Sequence, residues 1–175
     1  TESESSFSSD DFYASMDPDE GNTNSFFDGI DIAVGRMIVS TTQQAEEMVN
    51  KVIEYHDLKS YGSWRNIYVA IGDDPNLDQP SDRQLQFYQN RLADRIALEK
   101  PFINTNKILL DSYVQETSAG GKRYPKARED IFAAFEKGAL VFNYLGHGGE
   151  DGLSEERIWE KSDGQNLANR YKYPL

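Results

Sequence analysis

Short apolar stretches alternate with amphipathic segments of helical spacing along most of this 175-residue chain. The apolar stretches, each of a length suited to a strand, are residues 30–34, 66–71, 107–110 and 139–145. Between them, apolar residues recur three and four positions apart, as on one face of a helix. Because parallel strands joined by helices require right-handed crossovers, this order predicts an α/β fold. Its sheet should be doubly wound and mostly parallel, with helices on both faces.

Three helices are predicted from their start and stop signals. The first covers residues 40–55, and the second begins after Ser81 or Asp82, either of which can cap it. The third begins at Pro125 and ends before Gly138. The residues predicted to face the core are Leu85, Tyr88, Leu92 and Ile96 in the second helix and Ala127, Ile131, Ala134 and Phe135 in the third. The stretch 139–145 is apolar on both alternations, which predicts a central strand.

Composition excludes several classes of function. Lys and Arg number 18 against 30 Asp and Glu, and this net charge of -12 argues against a nucleic-acid partner. No apolar run approaches the roughly 18 residues of a membrane span, so we expect no membrane insertion of this segment. Without cysteine the chain forms neither a disulfide nor a thiolate metal site. Residues 1–29 are polar and acidic, and we predict that they lead into one domain formed by residues 30–175.

Polar clusters follow three of the predicted strands: Asp73 with Asp74, the loop 111–123, and the glycines around His147. In a doubly wound sheet these loops meet at the carboxyl edge, where ligands bind. Glycines beside a histidine leave backbone N–H groups open to stabilise an oxyanion. The sequence shows no nucleophile for such a base. It has no G-x-S-x-G motif, which would mark the serine of a Ser-His-Asp triad, and it has no cysteine. For the two aspartates, a solvated turn before Pro75 is an equally good interpretation.

The sequence NYLGHGGEDG at residues 143–152 resembles the histidine motif of the gingipain-type cysteine peptidases, which are relatives of the caspases. Residues 31–36, 69–76 and 110–125 also fit this family, so the resemblance extends from about Asp10 to Leu175. It is greatest to the members that remove C-terminal signals from proteins of the type IX secretion system. The resemblance implies a caspase-like fold and a thiol nucleophile.

The resemblance also implies roles for individual residues. His147 would be the general base, and the N–H of Gly148 would help to hold the tetrahedral oxyanion. Asp73 would orient the imidazole, and Asp74 is the second candidate for this role. Asp82 lies roughly where arginine-specific gingipains keep an acid for the substrate side chain, although helix capping explains it equally well.

In the family, the nucleophilic cysteine ends the strand that follows the histidine loop. The sequence predicts that such a strand begins at Tyr173, Pro174 and Leu175. We therefore expect a truncated domain that is inactive by itself, with the cysteine within about ten residues beyond Leu175.

The resemblance extends to partners and ions. It implies protein substrates that bear C-terminal secretion signals, partner proteins of the secretion system in the outer membrane, and a place on the extracellular side of the cell surface. It implies no required cofactor, but these peptidases bind calcium as a structural ion. Asp17 and Asp19 partly match a calcium loop and are the candidate ligands, although a charged loop is the simpler interpretation.

Two further functions remain open from the sequence. Asp73, Asp74 and Asp111 resemble the acidic pocket of receiver domains, which bind magnesium and accept a phosphoryl group. Against this, no lysine follows the next strand, where His147 stands. The other alternative is a catalytically inactive, peptide-binding relative that has no cysteine at full length.

Overall fold

The computed structural model describes residues 10–17, 31–75 and 82–174. Of the predicted lead-in 1–29, only residues 10–17 are therefore described. The chain forms two compact units, Thr1–Asn50 and Lys51–Leu175. The helices are α1 (Thr42–Tyr55), α2 (Arg83–Glu99), α3 (Pro125–Lys137) and α4 (Lys161–Gln165). The strands are β1 (Ile67–Gly72), β2 (Asn104–Leu109), β3 (Glu116–Ser118), β4 (Gly121–Arg123), β5 (Val141–Leu145), β6 (Gly152–Leu153) and β7 (Trp159–Glu160). No helix in the described ranges is both long and apolar enough to cross a membrane.

A parallel three-stranded sheet of order β2-β1-β5 forms the centre of the second unit. Side chains alternate along β1, so that Tyr68 and Ala70 pack with α2 while Val69 and Ile71 pack with α3. The predicted α/β fold, with a parallel sheet and helices on both faces, is confirmed. Three of the four predicted strands belong to this sheet.

Helix α3 follows its prediction closely. Pro125 is its first residue, and Gly138 ends it with φ of 90°, a conformation that glycine adopts without strain. The predicted core face is buried at Ala127, Ile131 and Ala134. The apolar spacing of this helix therefore fixes which face it turns to the sheet.

Helix α2 is present, but the face predicted to be buried is only partly right: Leu85 and Ile96 are half-buried, and Ile96 packs against the core. Its buried residues are Gln86, Gln89 and Ala93, whereas Tyr88 and Leu92 are exposed. The physical reason is a reciprocal amide pair. Gln89 donates to the main-chain oxygen of Asn143 on β5 at 2.5 Å, and the side chain of Asn143 donates back to Gln89 at 2.9 Å. This pair, together with Ala93, sets the rotation of the helix.

The predicted strand at 30–34 is not formed in residues 31–34, and Ile30 lies outside the described residues. Ile32 and Val34 are exposed. A strand requires a neighbouring backbone for its hydrogen bonds, and the described residues of the first unit supply none. This unit is held by other contacts: Arg36 pairs with Asp10, and the carboxylate of Asp31 accepts the N–H of Met16 at 2.8 Å.

The central position predicted for β5 requires a neighbouring strand on each side, and only one of them, β1, is among the described residues. In the described sheet β1 is central and β5 lies at one edge, with all five of its residues half-buried. An apolar pattern on both alternations reports cover on the two faces of a strand, not neighbours along its two edges.

The segment before Leu175 is not a strand in the residues described. Tyr173 donates its hydroxyl to Glu54 at 2.5 Å, and Lys172 packs over Gly138. An ideal Cβ at Gly138 would lie 2.8 Å from Cβ of Lys172. The segment therefore adjoins the residues that lead into β5.

Candidate active site

The loops that follow β1 and β5 lie side by side at the carboxyl edge of the sheet. The N–H of Asp73 donates to the carbonyl oxygen of Leu145 at 3.1 Å. This bond continues the strand pairing that joins Gly72 and Leu145. The acids after β1 are thereby held against the glycine-rich loop after β5, as expected for adjacent parallel strands.

The imidazole of His147 contacts Asp82, which belongs to neither loop. Its Nε2 lies 2.8 Å from Oδ2 of Asp82. The side chain of Asp82 is 6% exposed, whereas that of His147 is 41% exposed. Asp82 directly precedes α2, but its side chain makes no capping hydrogen bond. Helix capping, which the sequence offers as one explanation of Asp82, is therefore not its role.

Asp73 contacts the main chain of His147, not the ring. Its Oδ2 accepts the N–H of His147 at 2.8 Å and lies 3.1 Å from the hydroxyl of Tyr144. The same hydroxyl lies 2.5 Å from the carbonyl oxygen of His147. Asp73 and Tyr144 together hold both main-chain polar atoms of the residue. The role implied for Asp73, orientation of the imidazole, stays a prediction.

Gly146 leaves no room for a side chain. An ideal Cβ there would lie 2.3 Å from Cβ of Asp73 and 2.4 Å from the hydroxyl of Tyr144. A Cβ at Gly148, in contrast, would lie 3.6 Å from the carbonyl oxygen of Gly152 and from Cδ2 of Leu153, which are ordinary van der Waals contacts. The close approach of Asp73 to the loop thus depends on glycine at 146.

The N–H of Gly148 is directed away from the local ladder. Gly148 forms an antiparallel bridge with Leu153, and the hydrogen bonds around it are donated by Gly149 and Ser154, at 2.9 and 2.8 Å. In such a pair the two facing residues direct their own N–H groups outward. No backbone hydrogen bond in the described ranges uses the N–H of Gly148. This N–H therefore points away from the strand pairing, and the role implied for it, as a donor to an oxyanion, stays a prediction.

Three carboxylates, those of Asp73, Asp74 and Glu156, adjoin this loop. One oxygen atom of each lies within 4.8 Å of the others, a spacing that would also suit a divalent cation. Uncharged hydroxyl groups donate hydrogen bonds to two of these carboxylates: Tyr124 donates to Asp74 at 3.0 Å, and Ser154 donates to Glu156 at 2.6 Å. Hydrogen bonds thus hold the cluster together.

Burial shapes the protonation of this cluster. Burial raises the pKa of Asp73, and hydrogen bonds from His147 and Tyr144 offset part of that effect. Burial also raises the pKa of Asp74, and the negative charge of Glu156 raises it further. The pKa of Tyr144 is raised far above its ordinary range, first by burial and then by the charge of Asp73. Tyr144 therefore keeps its proton and remains a hydrogen-bond donor.

Two other sets of predicted residues lie elsewhere. Asp111 is exposed in a 3₁₀ turn and is not part of the acidic cluster, whose third member is Glu156. The pocket that a receiver-like module requires is therefore not the one that forms among the described residues. Asp17 is exposed and Asp19 lies outside the described residues, so the calcium hypothesis stays a prediction.

Sequence reasoning missed Tyr144 and Glu156. Tyr144 could have been found, because it lies one residue before the end of β5, next to the acids that follow β1. Glu156 belongs to no motif and lies in a loop that packs back onto the site. Its position depends on Ser154 and on Gln115, whose amide donates to Glu156 at 3.2 Å. Nothing local in the sequence predicts these tertiary contacts.

The imidazole of His147 is biased toward its protonated form. The hydrogen bond with Asp82 raises its pKa, against a smaller opposing effect of partial burial, and the charges of Asp73 and Glu155 add to the increase. Because the pKa is raised on folding, protonation of His147 stabilises the fold below the ordinary pKa of imidazole. That contribution is lost as the pH rises through the folded-state pKa.

Asp82→Asn should therefore lower the pKa of His147, which NMR titration of the imidazole C–H signals would measure. His56, the other histidine, serves as an internal control. Asp94→Asn, which removes an acid of α2 that pairs with Lys107, is the matched variant and should leave the midpoint of His147 in place. A midpoint unchanged in Asp82→Asn would contradict the assignment of the shift to this contact.

Comparison with known proteins gives two matches. The model of peptidase family C25 matches residues 1–175. The crystal structure of the Arg-specific cysteine proteinase gingipain R (RGPB) is similar, with a TM-score of 0.64 and 14% sequence identity. The match covers 95% of this chain and 34% of that chain, so the chain spans about a third of its length. No curated protein matches the sequence. At this identity, the structural likeness is one of fold alone.

Proposed function

The chain belongs to peptidase family C25, the gingipain family, and on this premise we propose that it is the part of a cysteine endopeptidase that supplies the general base. One observation carries the proposal. The imidazole of His147 is partly exposed at the carboxyl edge of the parallel sheet and adjoins the outward N–H of Gly148. A base and an oxyanion donor side by side are what acyl transfer requires beyond a nucleophile.

In the proposed reaction, a cysteine thiol gives its proton to the imidazole of His147, and the sulfur attacks the carbonyl carbon of a peptide bond. The carbonyl oxygen becomes an oxyanion that accepts a hydrogen bond from the N–H of Gly148. When the tetrahedral intermediate collapses, the C–N bond breaks and the leaving amine takes the proton from His147. Water or another amine then cleaves the thioester and regenerates the thiol.

The thiol must come from outside these 175 residues, which contain no cysteine. The position of Lys172 over Gly138 supports a source beside β5, because it brings the chain to the residues before that strand. A parallel strand starting there would run along the open edge of β5. It would reach the level of His147 about nine residues after Lys172, at about 3.3 Å per residue. We propose the nucleophilic cysteine there, within about ten residues of Leu175.

The substrate class is proposed from the closer resemblance within the family. On that basis the complete protein removes C-terminal secretion signals from proteins of the type IX secretion system. It would work on the extracellular side of the outer membrane, together with partner proteins of that system. An amine acceptor would couple the new carboxyl end of the substrate to another molecule, whereas water would release it. Calcium at Asp17 and Asp19 would have a structural role.

The test uses the complete protein and a substrate in which a folded domain precedes a C-terminal secretion signal. Mass spectrometry should show cleavage at the boundary between the two. Alkylation with iodoacetamide should abolish this cleavage and modify a cysteine within about ten residues after Leu175. Cleavage that persists after complete alkylation would reject the thiol mechanism. A complete sequence without cysteine in that window would favour the inactive, peptide-binding relative.

A further inference from the structure

We propose that Asp82 is the positioning residue of His147: its carboxylate holds Nε2 of the imidazole and leaves Nδ1 as the atom that accepts the thiol proton. This inference rests on the proposed function, because it concerns the same base. It assigns the orienting role to Asp82 and not to Asp73, whose contact with His147 is through the main-chain N–H.

The placement of Asp82 follows from the way in which α2 docks on the sheet. Asp82, Gln86 and Gln89 are spaced by four and three positions and lie on the buried face of the helix. On that face, Gln89 is locked to Asn143 of β5 by two hydrogen bonds. Because β5 leads directly to His147, the same docking fixes both ends of the 2.8 Å contact between Asp82 and the imidazole. This accounts for a polar residue pattern on a face that should otherwise be apolar.

The local backbone supports the same assignment. Asp82 precedes α2 with φ of -67° and ψ of -22°, helical values that differ from the extended ones usual for a capping residue. Its side chain makes no capping hydrogen bond to the first turn. A negative charge at this end of the helix is still favoured by the helix dipole. The side chain of Asp82 contacts the imidazole of His147 and does not cap the helix.

The contact also determines which ring nitrogen acts as the base. An ionised carboxylate only accepts hydrogen bonds, so Nε2 of His147 must carry a hydrogen atom toward Asp82. In the neutral ring, Nδ1 then holds the free lone pair. The thiol proton would be transferred to Nδ1, and the resulting imidazolium would remain paired with Asp82.

The same geometry argues against the other use of this carboxylate, as the partner of a basic substrate side chain. The side chain of Asp82 is 6% exposed, and one of its oxygens is already bound to Nε2 of His147. A cationic substrate group would have to displace the imidazole from which the reaction proceeds. Asp82 should therefore affect turnover on every substrate and not the choice among substrates.

The first experiment reads the tautomer of the neutral ring in the 175-residue chain. Nitrogen chemical shifts of ¹⁵N-histidine-labelled protein, recorded at a pH above the titration of His147, should show a hydrogen on Nε2 and none on Nδ1. Asp73→Asn should keep this tautomer, whereas Asp82→Asn should give a mixture of the two. A wild-type ring that carries its hydrogen on Nδ1 overturns the proposal whether or not any variant folds. A ring unaffected by Asp82→Asn also overturns it.

The second experiment measures kcat and KM of the complete protein on paired substrates with a basic or a neutral residue before the scissile bond. Asp82→Asn should lower kcat by about 10²-fold on both, the lower end of what a positioned base contributes, with KM nearly unchanged. A rise in KM confined to the basic substrate would instead identify a substrate-binding residue and overturn the proposal. An inactive wild-type protein would reject the proposed function, and the tautomer measurement would still decide the role of Asp82.

Discussion

Replacing His147 by alanine in the complete protein should lower kcat by roughly 10²- to 10⁴-fold, the usual contribution of a positioned general base. The fold should persist, because Asp73 and Tyr144 hold the main-chain atoms of residue 147, which alanine retains. The side chain is also 41% exposed, so little packing is lost. Steady-state kinetics on the substrate in which a folded domain precedes a C-terminal secretion signal would measure the effect on kcat. Thermal melting followed by circular dichroism would show whether the fold persists.

The matched control is His56→Ala, which removes the other histidine, close to the end of α1. It should leave kcat unchanged. A kcat for His147→Ala close to that of the wild-type protein would refute the proposed role of the imidazole. An unfolded His147→Ala protein would show instead that the main-chain contacts are insufficient to hold the loop.

Gly146→Ala should lower the free energy of unfolding by about 1–3 kcal/mol, as expected when a methyl group is forced into a packed site. The added carbon would lie 2.3 Å from Cβ of Asp73, so the loop or β1 must shift. Because Asp73 holds the main chain of His147, the same shift should displace the imidazole and lower kcat. Urea denaturation of the chain, and kinetics of the complete protein, would measure the two consequences.

Gly148→Ala is the control for this substitution, since it adds the same methyl group two residues away. There the new carbon would make ordinary contacts at 3.6 Å, and the backbone N–H is retained. Its free energy of unfolding should therefore be close to that of the wild-type protein. Equal losses in the two variants would show that loop flexibility, and not the close approach of Asp73, governs stability at this position.

Much of the fold could be predicted from the sequence, because its signals are local. The first residue and the end of α3 follow from Pro125 and Gly138, and its buried face follows from the spacing of Ala127, Ile131 and Ala134. The face of α2 could not be predicted in this way. It depends on the pair between Gln89 and Asn143, two polar residues 54 positions apart.

The candidate site was predictable to the same extent. Parallel strand topology places the acids after β1 beside the loop that contains His147, and this much follows from apolar patterns alone. Which acid contacts the ring does not follow, because Asp82 also has a plausible local role as a helix cap. Only the docking of α2 on β5 distinguishes these roles. The missing pairing of residues 31–34 likewise depends on neighbours that no local pattern specifies.

The clamp that Asp73 and Tyr144 place on the main chain of residue 147 also has a consequence for substitution at this position. Because the clamp contacts only the amide and carbonyl groups of this residue, its side chain can change while the loop retains its shape. A single substitution at this position should therefore remove the imidazole and leave the loop folded. Changes of the side chain at residue 147 are thus uncoupled from the shape of the loop.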